Sequence, residues 1–180
     1  MSINVFKDYE CDLEDNTVVK PINNNKQLLS PEQQIAYNKY ILGENIFITG
    51  NAGVGKSLLI NHIYNHAINN CKNIQVTALT GCAAVLLNCK AKTLHSWAGI
   101  GLGKGDIFTI VEKIIKHKKK RLNWKAIDIL IIDEVSMLSQ HLLELLDAIA
   151  KRVRYNNTPF GGIQVIFSGD MFQLSPIGDK

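Results

Sequence analysis

The sequence predicts an α/β domain built on one mostly parallel sheet with helices on both faces. Three observations point there. Short β-branched runs ("NIFIT", "IQVTA", "IDILIID", "IQVIFSG") alternate with longer helical segments, and parallel strands need such crossovers to return to one sheet. The first of these runs passes directly into a glycine-rich loop, "GNAGVGKS", and then into a helix. The chain has 180 residues, 46% apolar and 20% charged, which suits one domain with a real core and is too short for two full ones.

Residues 1–29 have little periodicity and contain "NNN"; they are expected to form a flexible tail or a loosely attached arm. The ordered domain, residues 30–180, opens with "LSPEQQIAYNKYILG". Ser30 suits the N-cap of a helix, Pro31 its first position, and Gly43 its stop. "NIFIT" follows as a buried strand, then the loop and a helix from Lys56 to about Asn69. "IQVTA" is the next strand and "TGCAAVLLN" the next helix. A glycine-rich turn, "AGIGLGKGD", precedes a helix from Ile107 to about Lys118. The strand "IDILIID", a helix from about Ser139 to Arg154, a turn at "NNTPFGG" and the strand "IQVIFSG" complete the series. No internal repeat is visible.

Several function classes fall away on composition. No apolar run approaches the ~20 residues of a membrane span. The acidic opening "MSINVFKDYECDLEDN" lacks the basic-then-apolar order of a secretion signal and the Arg/Ser bias of a transit peptide, so a cytosolic or nuclear protein is expected. Cys11, Cys71, Cys82 and Cys89 form no C-x-x-C pair, which favours reduced, mostly buried thiols. His62 and His66 stand four apart, like two ligands on a helix face, but no third ligand has matching spacing. The net charge is +4, and "KIIKHKKKRLNWK" (Lys113 to Lys125) concentrates the positive part of it. Such a run is either a solvated helix end or a contact for a phosphate backbone, and composition leaves both open.

Chemistry enters with Gly50, Asn51, Ala52, Gly53, Val54, Gly55, Lys56 and Ser57. They satisfy the phosphate-loop pattern G-x-x-x-x-G-K-S in the required strand-to-helix context. The glycines let backbone N–H groups turn inward around phosphate oxygens, where side chains would collide. Lys56 supplies positive charge between the β- and γ-phosphates. The Ser57 hydroxyl is a ligand for Mg²⁺, and the helix N-terminus adds a favourable dipole. The expected ligand is therefore a nucleoside triphosphate with Mg²⁺. "ILIIDEVSML" supplies the second half of the site. Four apolar residues carry a central strand to its C-terminal edge, where ligands sit in open α/β sheets. Asp133 then holds Mg²⁺, through water, and Glu134 orients and polarises the attacking water. Nucleotide kinases usually lack this adjacent Glu, so the pair favours hydrolysis.

Six segments in order, "LSPEQQIAYNKY", "FITGNAGVGKS", "VTALTGCAAVLL", "TLHSWAGIGLG", "LIIDEVSMLS" and "GGIQVIFSGDMFQLSPI", resemble the Pif-type DNA helicases, superfamily-one motors related to RecD. The resemblance covers residues 28 to about 178. It implies a RecA-like P-loop NTPase lobe, ATP-driven 5′-to-3′ movement on single-stranded DNA, and a place in DNA repair, recombination or telomere maintenance. It also implies individual roles. Gln33 resembles the glutamine that reads the adenine edge, an amide being able to donate and accept at once. Gln173 resembles the glutamine that senses the γ-phosphate, making it the third catalytic candidate beside Lys56 and Glu134, and Asp170 is expected to support its network. Thr80, Gly81, His95 and Trp97 lie in segments that resemble those touching DNA. Small residues and backbone amides at Thr80 and Gly81 suit a phosphate. His95 and Trp97 would offer flat faces to bases, although Trp97 is equally a side chain that a core would take. Residues of about 99–125 fall where the family places a small basic insertion, which assigns Lys118, Lys119, Lys120 and Arg121 to DNA.

Three stretches depart from the family pattern: Ser175 in "QLSPI" stands where a proline is usual, and Cys82 and "NCKAK" are atypical. None removes a catalytic group. A second RecA-like lobe, which in such motors supplies arginines to the γ-phosphate, is absent from the 180 residues. The partners expected are single-stranded DNA and a second lobe from the remainder of the gene or from another chain. The chain alone is expected to bind ATP–Mg²⁺ and to hydrolyse it slowly. Two other readings stay open: a non-motor ATP- or DNA-binding remnant that pairs with a partner, and a different P-loop ATPase.

Overall fold

A computed structural model describes residues 28–171. Five strands form one sheet in the order β1-β5-β4-β2-β3: β1 (Ile46–Thr49), β2 (Ile74–Ala78), β3 (Lys92–Thr93), β4 (Ile129–Asp133) and β5 (Gln164–Gly169). Every pairing is parallel. All C-terminal strand ends therefore share one edge, and loops that leave this edge meet one another even when far apart in sequence.

The helices are α1 (Pro31–Ile41), α2 (Lys56–Asn69), α3 (Gly81–Leu86), α4 (Leu94–Ala98), α5 (Ile107–Lys116), α6 (Lys118–Ala126) and α7 (Gln140–Arg154). The start of α1 is doubly capped. The Ser30 hydroxyl accepts from the Gln33 N–H, and the Gln33 side chain accepts from the Ser30 N–H, which satisfies two end donors of the helix.

Two cores sandwich the sheet. Ile60, Ile63, Val76, Ile129, Ile131 and Ile166 belong to one, beneath α1 and α2. Leu130, Ile132, Trp97, Ile114, Trp124 and Leu145 belong to the other, beneath α5, α6 and α7. Residues of β4 thus alternate between the two cores, as the two-residue period of a strand dictates, and all five are buried.

The expected strands and helices are present, with two differences. The helix from Ile107 stops at Lys116 because His117 leaves helical geometry (φ −92°, ψ 99°), and a separate helix, α6, begins at Lys118. The two-residue β3 and five-residue α4 are too short to show a period. Within residues 99–125, expected to be a basic insertion, Ile110, Val111, Ile114 and Trp124 are buried in the second core. The expected tail, residues 1–29, lies almost wholly outside the described residues. Among the described residues no helix is long and apolar enough to cross a membrane.

Candidate functional site

The loop leaving β1 closes at Gly55, which precedes α2 with φ 86°. Only glycine takes that left-handed geometry freely, and a Cβ there would lie 2.5 Å from Gln33 Nε2. Lys56 curls over the loop, its Nζ donating to the carbonyls of Gly50 at 2.6 Å and Asn51 at 2.9 Å. An ammonium held by two carbonyls is poised above the place where phosphate oxygens would compete for it. Ser57 follows in the first turn of α2. Beside the loop lies an open cavity of about 410 Å³ lined by Gln33, Phe47, Thr49, Gly50, Val54 and Lys56, among others.

Gln33, expected to read adenine, is brought to this cavity. Its Nε2 donates to the carbonyls of Val54 and Gly55, both at 3.2 Å. Both amide hydrogens are engaged on the loop, and an adenine edge would have to take the place of those carbonyls.

Asp133 ends β4 and is buried, as is Asp170 just beyond β5. Glu134 occupies the left-handed region (φ 59°, ψ 39°) and opens a 3-10 turn, Val135–Met137. Partial burial raises the pKa of its carboxyl, the charges of Asp133 and Asp170 raise it further, and Lys56 opposes them. A carboxylate pushed upward is a better proton acceptor. The structure therefore gathers Lys56, Asp133, Glu134 and Asp170 at one rim. The hydroxyls of Ser136 and Ser168 are buried without a partner among the described residues. Gln173 lies outside the described residues.

Two residues expected at DNA are engaged within the fold. Trp97 is only 6% exposed, and its ring packs against Trp124 with centroids 4.7 Å apart. It is a core residue with no free face for a base. Lys120 is half-buried rather than free: its Nζ donates to the Gly99 carbonyl at 2.6 Å and so clamps the end of α4. Arg121 is exposed and donates to the Ile115 carbonyl at 3.0 Å. Lys118 and Lys119 are exposed and border a shallow groove with His117, Leu122 and Asn123. Thr80 caps α3 by accepting from the Ala83 N–H, and the space around Gly81 is open. His95 is half-buried, and burial lowers its pKa. Sequence reasoning missed Gly169, whose closeness to the Glu134 turn has no local signature.

Residues 28–180 match the family model described as PIF1-like helicase. The chain is 46% identical over 151 residues to the ATP-dependent DNA helicase PIF1 of Saccharomyces cerevisiae, covering 83% of this chain and 17% of that protein. It superposes on the crystal structure of the Pif1 helicase from Candida albicans with a TM-score of 0.79 and 44% identity, covering 83% of this chain and 34% of that one. A Bacteroides Pif1 helicase crystallised with ADP-AlF3 and single-stranded DNA gives a TM-score of 0.69 and 33% identity over 85% of this chain and 34% of that one. The fold is the RecA-like P-loop fold of these helicases. The chain spans about a sixth of the length of the curated relative from yeast. With its phosphate loop, acid pair and sheet order all in place, the chain belongs to the PIF1-like helicase family.

Proposed function

We propose that this chain is the first motor lobe of a PIF1-like helicase, which binds ATP and couples its hydrolysis to 5′-to-3′ movement on single-stranded DNA. The observation that carries this reading is the convergence of Lys56 with Asp133, Glu134 and Asp170 at one sheet edge. A phosphate loop alone serves many chemistries; a buried Asp133 followed by a half-buried Glu134 at the same rim favours hydrolysis.

In this reading the loop amides and Lys56 hold the β- and γ-phosphates. Glu134 accepts a proton from water as the water oxygen bonds to the γ-phosphorus, and the bond to the β–γ bridging oxygen breaks to release ADP. The Ser57 hydroxyl and the Asp133 carboxylate are hard oxygen donors that fit Mg²⁺, which keeps most of its shell for water and phosphates. When bound, the ion neutralises charge on the phosphates. Gln33 would exchange the loop carbonyls for adenine, and Gln173 would sense the γ-phosphate. Thr80, Gly81, His95, Lys118, Lys119 and Arg121 form the surface offered to DNA. A second RecA-like lobe would supply the arginines that complete the transition-state site, so this chain alone binds ATP and turns it over slowly.

Substitution of Glu134 by Gln tests the assignment. ATP affinity is expected to stay within about threefold while single-turnover hydrolysis falls at least about 100-fold, the upper effect of losing a positioned general base being about 10⁴. Hydrolysis at the wild-type rate would remove Glu134 from the mechanism.

A further inference from the structure

β5 ends at Gly169 in ordinary extended geometry, so its backbone conformation makes no demand for glycine. Space makes the demand. A Cβ at Gly169 would lie 2.9 Å from Val135 Cγ1, 3.0 Å from the Val135 nitrogen and 3.4 Å from the Ser136 nitrogen. Two of these three neighbours are main-chain atoms that no rotamer change can move. The turn leaving β4 is therefore laid directly on the bare backbone of β5.

That turn is closed by two hydrogen bonds, from the Met137 N–H to the Glu134 carbonyl at 3.1 Å and from the Leu138 N–H to the Val135 carbonyl at 2.9 Å. Its leading residue is Glu134, held in left-handed geometry that a side chain with a Cβ resists unless its surroundings impose it. The Glu134 carboxylate lies within electrostatic reach of Lys56, Asp133 and Asp170, and Asp170 is the residue that follows Gly169.

We propose that Gly169 is a positioning residue for Glu134: the uncovered backbone at the end of β5 is the floor on which the Glu134–Met137 turn closes, and that floor holds Glu134 in the conformation that keeps its carboxylate at the phosphate-loop rim. This rests on the reading of Glu134 as the residue that polarises water. It adds a main-chain link between the end of β5 and the turn that Glu134 opens. The end of β5 touches the turn main chain to main chain, so a displacement of β5 near Asp170 is passed to the backbone of Glu134. The chain thereby carries a direct route between the strand end beside the nucleotide and the hydrolytic carboxylate.

The test is Gly169→Ala in the full 180-residue chain, with ATP–Mg²⁺ affinity and single-turnover hydrolysis measured separately at excess protein. Affinity is expected to stay within about threefold, because the phosphate loop is untouched, while the hydrolysis rate constant falls about tenfold or more. Adding Val135→Ala removes only the Cγ1 contact and leaves both main-chain contacts, so the double variant is expected to recover at most about threefold of the loss. An unchanged rate, parallel losses of affinity and rate, or full recovery in the double variant would each overturn the proposal.

Should Gly169→Ala fold too poorly to assay, a melting comparison decides. Glu134→Gly is expected to melt above Glu134→Ala, since glycine takes the left-handed geometry freely; the reverse order would overturn the proposal. Failure of the underlying reading looks different. If Glu134→Gln hydrolyses ATP normally, the role of Glu134 is lost, whereas a harmless Gly169→Ala beside an inactive Glu134→Gln removes only the positioning claim.

Discussion

Replacing Trp97 by alanine separates two readings of the "TLHSWAGIGLG" segment. The side chain is 94% buried, given its 6% exposure, and is tilted 49° against Trp124 at 4.7 Å. Trp124 is itself fully buried and donates its indole N–H to the Ala98 carbonyl at 3.1 Å. Deleting an indole from such a site removes its transfer energy and leaves a cavity between α4 and α6, a loss of about 3–5 kcal/mol. About 0.5–1.5 kcal/mol of that is the aromatic pair itself. The assay is urea unfolding followed by circular dichroism, paired with binding to a fluorescent oligo-dT where both proteins are folded. A base-stacking tryptophan would give another pattern: an unchanged unfolding midpoint and a binding loss of about 1–3 kcal/mol. That second pattern would refute the assignment of Trp97 to the core.

Two further predictions concern charge and reactivity. Replacing Lys118 and Lys119 together by Gln should flatten the slope of log affinity against log salt for single-stranded DNA by up to about 1.4, at about 0.7 for each phosphate no longer neutralised. Lys120→Met should leave that slope unchanged while lowering stability, because its ammonium is bonded to Gly99; equal slopes for all three proteins would return the run to a solvated surface. Burial, with the charge of Asp133 adding to it, pushes the Cys89 thiol up to about 11. Iodoacetamide at pH 8 should therefore modify the exposed Cys71 and Cys82 and spare Cys89 until the chain is unfolded, as read by peptide mass spectrometry; rapid labelling of Cys89 in the native chain would contradict its burial.

What was legible in the sequence was local. The phosphate-loop motif is one contiguous segment in which glycine backbone, the Lys56 ammonium and the Ser57 hydroxyl lie side by side, so spacing alone identifies it. Asp133 and Glu134 were legible because a strand of apolar residues delivers them to a known edge. What was not legible depends on contacts between distant residues. Trp97 has an amphipathic ring that suits a base or a core, and only its partner Trp124, 27 positions away, decides between them. Lys120 belongs to a basic run, yet α6 packs so as to turn this lysine onto Gly99. The break at His117 is a change of backbone geometry between α5 and α6, and no turn residue announces it. The expected roles of Gln33 and Gln173 came from family resemblance and not from spacing; Gln33, in the first turn of α1, would otherwise pass for an ordinary surface residue.

Calorimetric titration of ATP with Mg²⁺ into the wild-type chain and into Lys56→Ala bears most directly on the nucleotide site. One site per chain is expected in the wild type, with affinity weakened at least about tenfold in the variant and melting behaviour alike in both. Equal affinities, or a folded wild-type chain that takes up no ATP, would contradict a phosphate-binding role for the loop from Gly50 to Ser57.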